Sequence, residues 1–92
     1  MSDFPFKPGD LIQFLELGFD DQKDPYWSWW VGHVKHWVSA GTLAHVLSVQ
    51  LVFEEEFCDI VAFIPGIGIV EDGRSVGAWK RSWTLVSRPE EK

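Results

Sequence analysis

Residues 26–38 read YWSWWVGHVKHWV, a run of aromatic and β-branched side chains that decides the fold of this chain. Such residues are enriched in strands, and the run shows little of the spacing that marks a helix. It therefore predicts one long strand. Alternation places Trp30 on one face, while the opposite face carries the other tryptophans of the run: Trp27, Trp29 and Trp37. Because neither face is cleanly polar, we expect one to line a core and the other to be partly covered or to bind a partner.

Turn residues upstream of this run delimit an earlier strand. Lys7-Pro8-Gly9-Asp10 is typical of a turn, since Pro presets φ and Gly accepts a positive φ. It predicts a strand over about Leu11–Leu17. The polar, acidic segment Gly18–Pro25 then reads as a loop.

Short strands also follow the run. The turn Ser39–Thr42 leads into Leu43–Phe53, where one face collects the larger apolar residues with His45 among them. Phe57–Ile64 predicts the next strand, which ends at Pro65-Gly66. Asp72-Gly73 indicates a type I′ hairpin. The strands predicted around that hairpin and after it are Ile67–Glu71, Arg74–Trp79 and Ser82–Ser87.

This pattern gives five to seven short strands in 92 residues. Hairpin-linked antiparallel strands favour a partly closed barrel, because closure hides exposed edges. We predict an all-β, single-domain chain (residues 1–92) with an ordered core over about residues 6–88. Six Trp and seven Phe would supply a dense core for a chain this short.

Composition narrows the function. The net charge is −6, which disfavours direct binding to nucleic-acid backbones. The one cysteine excludes an internal disulfide framework. The longest apolar stretch, residues 60–70, is broken by Pro65 and two glycines and cannot span a bilayer. With no leader-like run at Met1–Asp10, we expect a cytoplasmic protein without a membrane partner.

The opening third of the chain resembles a Src-homology-three-type barrel. Asp10-Leu11-Ile12 follows Pro8-Gly9, an acidic loop comes next, and Trp29-Trp30-Val31-Gly32 completes the likeness over residues 7–38. The resemblance implies a peptide groove formed by Trp29 and the loop residues Asp20, Asp21 and Asp24. The family's late Pro-x-x-Tyr segment is absent, so the resemblance does not imply a proline-rich ligand.

The same stretch is also similar to a second family, the lecithin retinol acyltransferase-like thiol hydrolases. The carrying residues are Phe6 to Phe14, with His33 and His45 placed across a hairpin turn like the family's histidine pair. That likeness implies a catalytic set of His33, His45 and Cys58. However, Cys58 follows Phe57 where the family has Asn, and no helix with a His-Phe pair follows it.

The sequence gives less support to a catalytic cysteine, a metal site or a cofactor site. The carboxylates around Cys58 oppose a thiolate, and a free Cys in an apolar strand is typically a small buried hydrophobe. His45 shares a predicted strand face with Leu43 and Leu47, which is typical of a hydrogen-bonded core histidine. The spacing of His33, His36, His45 and Cys58 fits no zinc pattern, and no cofactor motif is complete. We therefore expect no metal and no cofactor.

The surplus of aromatic residues is the best pointer to function. A barrel of this size cannot enclose them all, and exposed Trp and Tyr are frequent binding hot spots. We expect a non-enzymatic module that binds a protein or peptide, including a second copy of the chain, with an acidic rim that selects a basic partner. The residues of this surface are Tyr26, Trp27, Trp29, Trp30, Trp37, Asp20, Asp21 and Asp24. The thiol-hydrolase set and an acidic inhibitor that mimics nucleic acid remain the alternatives.

Overall fold

A computed structural model describes residues 4–15, 17–19, 22–24 and 26–89 of the chain. Extended backbone dominates these residues, as their β-branched and aromatic content predicts. In chain order, the elements are β1 (Leu11–Phe14), β2 (Leu17–Phe19), β3 (Gln22–Asp24), β4 (Tyr26–Val31), β5 (Val34–Ser39), β6 (Leu43–Val52), β7 (Phe57–Ile64), β8 (Gly68–Ser75), α1 (Val76–Ser82) and β9 (Trp83–Ser87).

Seven of these strands form one antiparallel sheet in the spatial order β5-β4-β8-β7-β6-β1-β9. The sheet curls into a half-barrel. Strands β2 and β3 form a separate two-stranded ribbon next to α1. The prediction of an all-β, antiparallel, partly closed barrel is confirmed. The two edges of the large sheet are β5 and β9.

The run at residues 26–38 folds back on itself as a hairpin. Gly32 has φ 62°, a left-handed conformation that favours glycine, and the turn at Gly32-His33 separates β4 from β5. The prediction of one continuous strand over Tyr26–Val38 is therefore wrong. The fold-back has a consequence for alternation, because Trp37 now pairs with Ser28 and shares the face of Trp30.

The core is built around four buried tryptophans, which we call the tryptophan core: Trp27, Trp29, Trp79 and Trp83. Ring centroids lie 4.8 Å apart for Trp27 and Trp79 and 5.6 Å apart for Trp29 and Trp83. Trp83 belongs to one edge strand and Trp29 to the second strand from the other edge. Their contact across the interior requires the sheet to curl. Each buried indole removes roughly 150–250 Å² from water, which offsets the short length of the chain.

Partway along β6, the residues that face the core change from even-numbered to odd-numbered positions. Ala44 and Val46 are buried, whereas Leu43, His45 and Leu47 are exposed. The pairing with β7 shifts between Val46 and Ser48, and beyond this bulge the odd-numbered residues pack on the core. An extra residue in one strand reverses the alternation. The prediction that His45 faces the core is wrong for this reason.

Strand β8 and helix α1 replace the predicted hairpin at Asp72-Gly73. The strand runs without a break from Gly68 to Ser75, so the type I′ turn is wrong. The helix occupies much of the predicted strand Arg74–Trp79. The Ser75 side chain caps it by accepting from the backbone N–H of Ala78 at 3.2 Å. Burial of Trp79 stabilises this short helix, since a helix of this length is marginal in isolation.

A buried ion pair joins the first turn to the end of the last strand. Asp10 is fully buried and accepts two hydrogen bonds from Arg88, at 2.9 and 2.7 Å, and a third from the backbone N–H of Lys7 at 2.8 Å. These bonds favour the carboxylate, and the Arg88 guanidinium contributes most to lowering the pKa of Asp10 below its usual value. The predicted turn over Lys7–Asp10 is confirmed.

Candidate functional site

Exposed aromatic side chains lie together on the outer face of the β4–β5 hairpin. Tyr26, Trp30 and Trp37 are 51%, 39% and 59% exposed, and we call them the outer aromatic patch. Register explains their common face: Tyr26 and Trp30 alternate along β4, and Trp37 is the partner of Ser28, which lies between them. The structure thus brings together three of the five aromatic residues that the sequence assigns to a binding surface.

A lysine lies across two rings of this patch. Lys35 pairs with Trp30 in the sheet, and its Nζ lies 5.0 Å from the Trp30 ring centroid and 5.7 Å from that of Trp37. Both distances are within the range of a cation–π interaction, which contributes about 0.5–1 kcal/mol at an exposed site. The outer aromatic patch is therefore already in contact with one cation, the ammonium of Lys35.

The other two aromatic residues assigned to the surface belong to the core. Trp27 and Trp29 are fully buried, so the prediction that they lie in an exposed patch is wrong. Both point inward from β4, where Trp29 packs against Trp79 with ring centroids 5.5 Å apart and ring planes tilted by 52°. Trp27 is also covered by the Arg74 guanidinium, whose central carbon lies 4.1 Å from its ring centroid.

The predicted acidic rim lies largely beyond what the structure describes. Asp20 and Asp21 are outside the described residues. Asp24 is the last residue of β3, and the structure does not describe its side chain. The role of these three aspartates stays a prediction.

A pocket of about 350 Å³ opens on the same outer face beside Trp30. Its location follows from a row of residues in register across the sheet, in which Trp30 pairs with Glu71, Glu71 with Val61, and Val61 with Ser48. Gln50 and Asp59, two residues further along β6 and β7, form the next pair on this face and also line the pocket. The volume is within the lower range of small-ligand sites, which is roughly 300–1,000 Å³.

Sequence reasoning missed the carboxylates of this pocket. A signal for Asp59 exists in the alternation of β7, where Cys58, Ile60, Ala62 and Ile64 are buried and Asp59 is the charged residue of the outer set. Glu71 carried no such signal. The sequence pattern places Glu71 at the end of a strand before a hairpin turn, whereas it lies in the middle of β8 beside Trp30.

The residues of the thiol-hydrolase alternative do not come together. Cys58 pairs with Leu51 on β6, which places His45 about 20 Å away along the strand at ~3.3 Å per residue. His33 lies in the β4–β5 turn. Along the strand direction, Cys58 lies on one side of the row that contains Trp30 and Val61, and His33 lies on the other side. A base and a nucleophile must reach hydrogen-bonding distance, and these three residues do not.

The environment of Cys58 also disfavours a nucleophile. The thiol is fully buried, and burial, followed by the charge of Asp59, raises its pKa to about 11. A reactive thiolate requires a lowered pKa and access to substrate. Within the described ranges, no three His, Cys, Asp or Glu side chains are grouped so that they could hold a metal ion. The helix of the described chain is too short to cross a membrane.

Comparisons with protein-family models, curated proteins and solved structures find no match for this chain. The two family resemblances noted in the sequence stay predictions.

Proposed function

We propose that this chain is a non-enzymatic binding module that recognises a basic protein or peptide through the outer aromatic patch. The observation that carries the proposal is the exposure of Tyr26, Trp30 and Trp37 side by side on one regular hairpin. Exposed Trp and Tyr supply large contact areas at low cost in side-chain entropy, which is why they dominate binding hot spots.

Rigidity supports this role. The patch lies on a paired hairpin whose reverse side carries Trp27 and Trp29, both locked in the core. A partner would meet rings that are already held in place, so little ordering entropy is lost on association.

Charge supports a basic partner. The chain has a net charge of −6, and Asp59 and Glu71 lie beside Trp30 on the outer face. Electrostatic complementarity chiefly speeds association and selects among partners, so the preference should weaken as salt is added.

Strand β5 pairs on one side only among the described residues, and its other side offers a peptide a way to align with the patch. Strand β5 has a sheet partner on one side, β4, and is an edge of the large sheet. An extended peptide can add to such an edge through its backbone and lay alternate side chains on the neighbouring face.

A peptide array of matched length, spanning acidic to basic sequences, tests the proposal. We expect the wild-type chain to retain basic peptides and Trp37→Ala to weaken that binding by about thirtyfold, the effect of a hot-spot residue worth ~2 kcal/mol. Leu85→Ala is the matched control, because Leu85 is 39% exposed, like Trp30, but lies on the opposite edge strand.

The proposal fails if no peptide class is retained, or if Trp30→Ala and Trp37→Ala bind as tightly as Leu85→Ala. Sedimentation of the same variants tests for a second copy as the partner. A dimeric wild type with a monomeric Trp37→Ala would show that the patch binds another copy of this acidic chain, and it would overturn the basic partner.

A further inference from the structure

The pocket beside Trp30 combines an aromatic wall with three acidic residues, of which Asp72 forms an ion pair with Arg74 at 2.9 Å. Asp59 and Glu71 are both exposed, and neither forms an ion pair with a cation among the described residues. They occupy diagonal positions on β7 and β8, since Glu71 pairs with Val61. Such positions place the side chains about 7 Å apart, a distance that one cation can bridge.

Gly73 shapes this pocket through its missing side chain. A Cβ at this position would collide with Oδ1 of Asp59 and crowd the Phe57 ring. Because Gly73 has none, the Asp59 carboxylate can lie across β8 at the pocket. The same residue predicted a turn from the sequence, and here it makes room within a continuous strand.

We propose that this pocket binds the cationic head of a single arginine or lysine side chain of the partner. The inference rests on the proposed function, because it assigns the basic residue of the partner to a defined position on the same surface. The cation would lie against the Trp30 indole and between the carboxylates of Asp59 and Glu71. Ser48 and Gln50 line the remaining wall and offer further hydrogen-bond acceptors.

Lys35 provides an internal precedent for this recognition. Its ammonium already lies over Trp30, so the ring is placed where it attracts a cation. Lys35 also opposes a second cation nearby by like-charge repulsion. Its removal should therefore strengthen binding of a cationic ligand, whereas a purely apolar pocket would show no such gain.

Indole NMR with two small probes tests the inference. The protein is labelled with ¹⁵N at its tryptophans. The probes are N-acetyl-arginine methylamide and its neutral analogue, N-acetyl-citrulline methylamide. We expect the arginine probe to shift the Trp30 Nε1–H resonance in a saturable way and the citrulline probe to leave it unchanged. The four indoles of the tryptophan core serve as internal references. A lysine probe of the same design distinguishes an ammonium from a guanidinium preference.

Charge-neutral variants locate the site. Glu71→Gln and Asp59→Asn should each weaken arginine binding by about threefold to fivefold, the upper part of the range for one exposed ion pair. Lys35→Gln should strengthen it by a similar factor. Glu55→Gln is the matched control, since it removes one negative charge from the exposed turn between β6 and β7.

Equal shifts with arginine and citrulline, or unchanged arginine binding in Glu71→Gln and Asp59→Asn, would overturn the inference. The two proposals fail separately. If basic peptides depend on Trp37 but are indifferent to Glu71→Gln, the binding surface stands and the pocket assignment falls. If peptides are indifferent to Trp37, the proposed function falls, while the single-residue probe still reports on the pocket.

Discussion

The two faces of β4 both carry tryptophan, but one face packs in the core and the other is exposed. Trp29 is fully buried among other indoles, whereas Trp30, the next residue, lies exposed beside a pocket. Strand geometry imposes this difference, because successive side chains point to opposite sides of a sheet. The comparison teaches that tryptophan content does not by itself separate a core from a binding surface. Only the face on which each ring lies does so.

The largest expected effect tests the buried side of this comparison. Trp29→Ala should destabilise the fold by about 3–5 kcal/mol, because it leaves a large cavity among Trp79 and Trp83. Urea unfolding followed by circular dichroism measures the change. A loss below ~1 kcal/mol would mean that the tryptophan core does not hold the sheet in its curled form.

A smaller effect separates a buried carboxylate from an exposed one. Asp10→Asn should cost about 1–2 kcal/mol at neutral pH, because it weakens the hydrogen bonds with Arg88. Glu71→Gln, on the outer face, should change stability by less than ~0.5 kcal/mol. Thermal unfolding of both variants beside the wild type makes the comparison.

The pH dependence of the same Asp10 variant sharpens this prediction. The lowered pKa of Asp10 means that its contribution is complete above the ordinary value of 3.8 and is lost as the pH falls through the lower folded value. The stability gap between wild type and Asp10→Asn should therefore be constant from neutral pH down to about pH 5 and narrow in stronger acid. A gap that does not change with acid would contradict the assigned ion pair.

A second small effect on stability tests the exposed aromatic side of the comparison. Trp37→Ala should alter the free energy of unfolding by less than ~0.5–1 kcal/mol, since it removes an exposed ring and one cation–π contact with Lys35. It should nevertheless remove a large share of the fluorescence that iodide can quench. Destabilisation as great as that of Trp29→Ala would show that the outer aromatic patch is structural.

Local pattern predicted much of the strand framework. The bounds of β7 match the predicted strand Phe57–Ile64, and the turn at Lys7–Asp10 lies where Pro8 and Gly9 indicate it. Two of the errors arose where one glycine is compatible with more than one local structure. Gly32 makes a turn within an apparently continuous strand, while Gly73 lies within a strand beside a residue typical of turns. Glycine permits both conformations, and the packing around it selects one.

The sequence predicted only part of the candidate site, because strand pairing decides which side chains share a face. Tyr26, Trp30 and Trp37 stood out by residue type, but alternation along a single strand assigned Trp37 to the wrong face. Pairing across the β4–β5 hairpin corrects this, because residues in register share a face. Asp59 and Glu71 join Trp30 through strand pairings that bring distant parts of the chain together. No local pattern encodes those pairings.

The sequence by itself determined the all-β class, a surplus of aromatic residues beyond what one face can bury, and an acidic surface. These depend on residue type and on the two-residue period of a strand, which local chemistry sets. Only the tertiary structure decided which indoles are buried, where the bulge in β6 reverses the alternation, and which carboxylates meet Trp30. Those outcomes depend on strand order and register, which are set by the free energy of packing the whole sheet around its core.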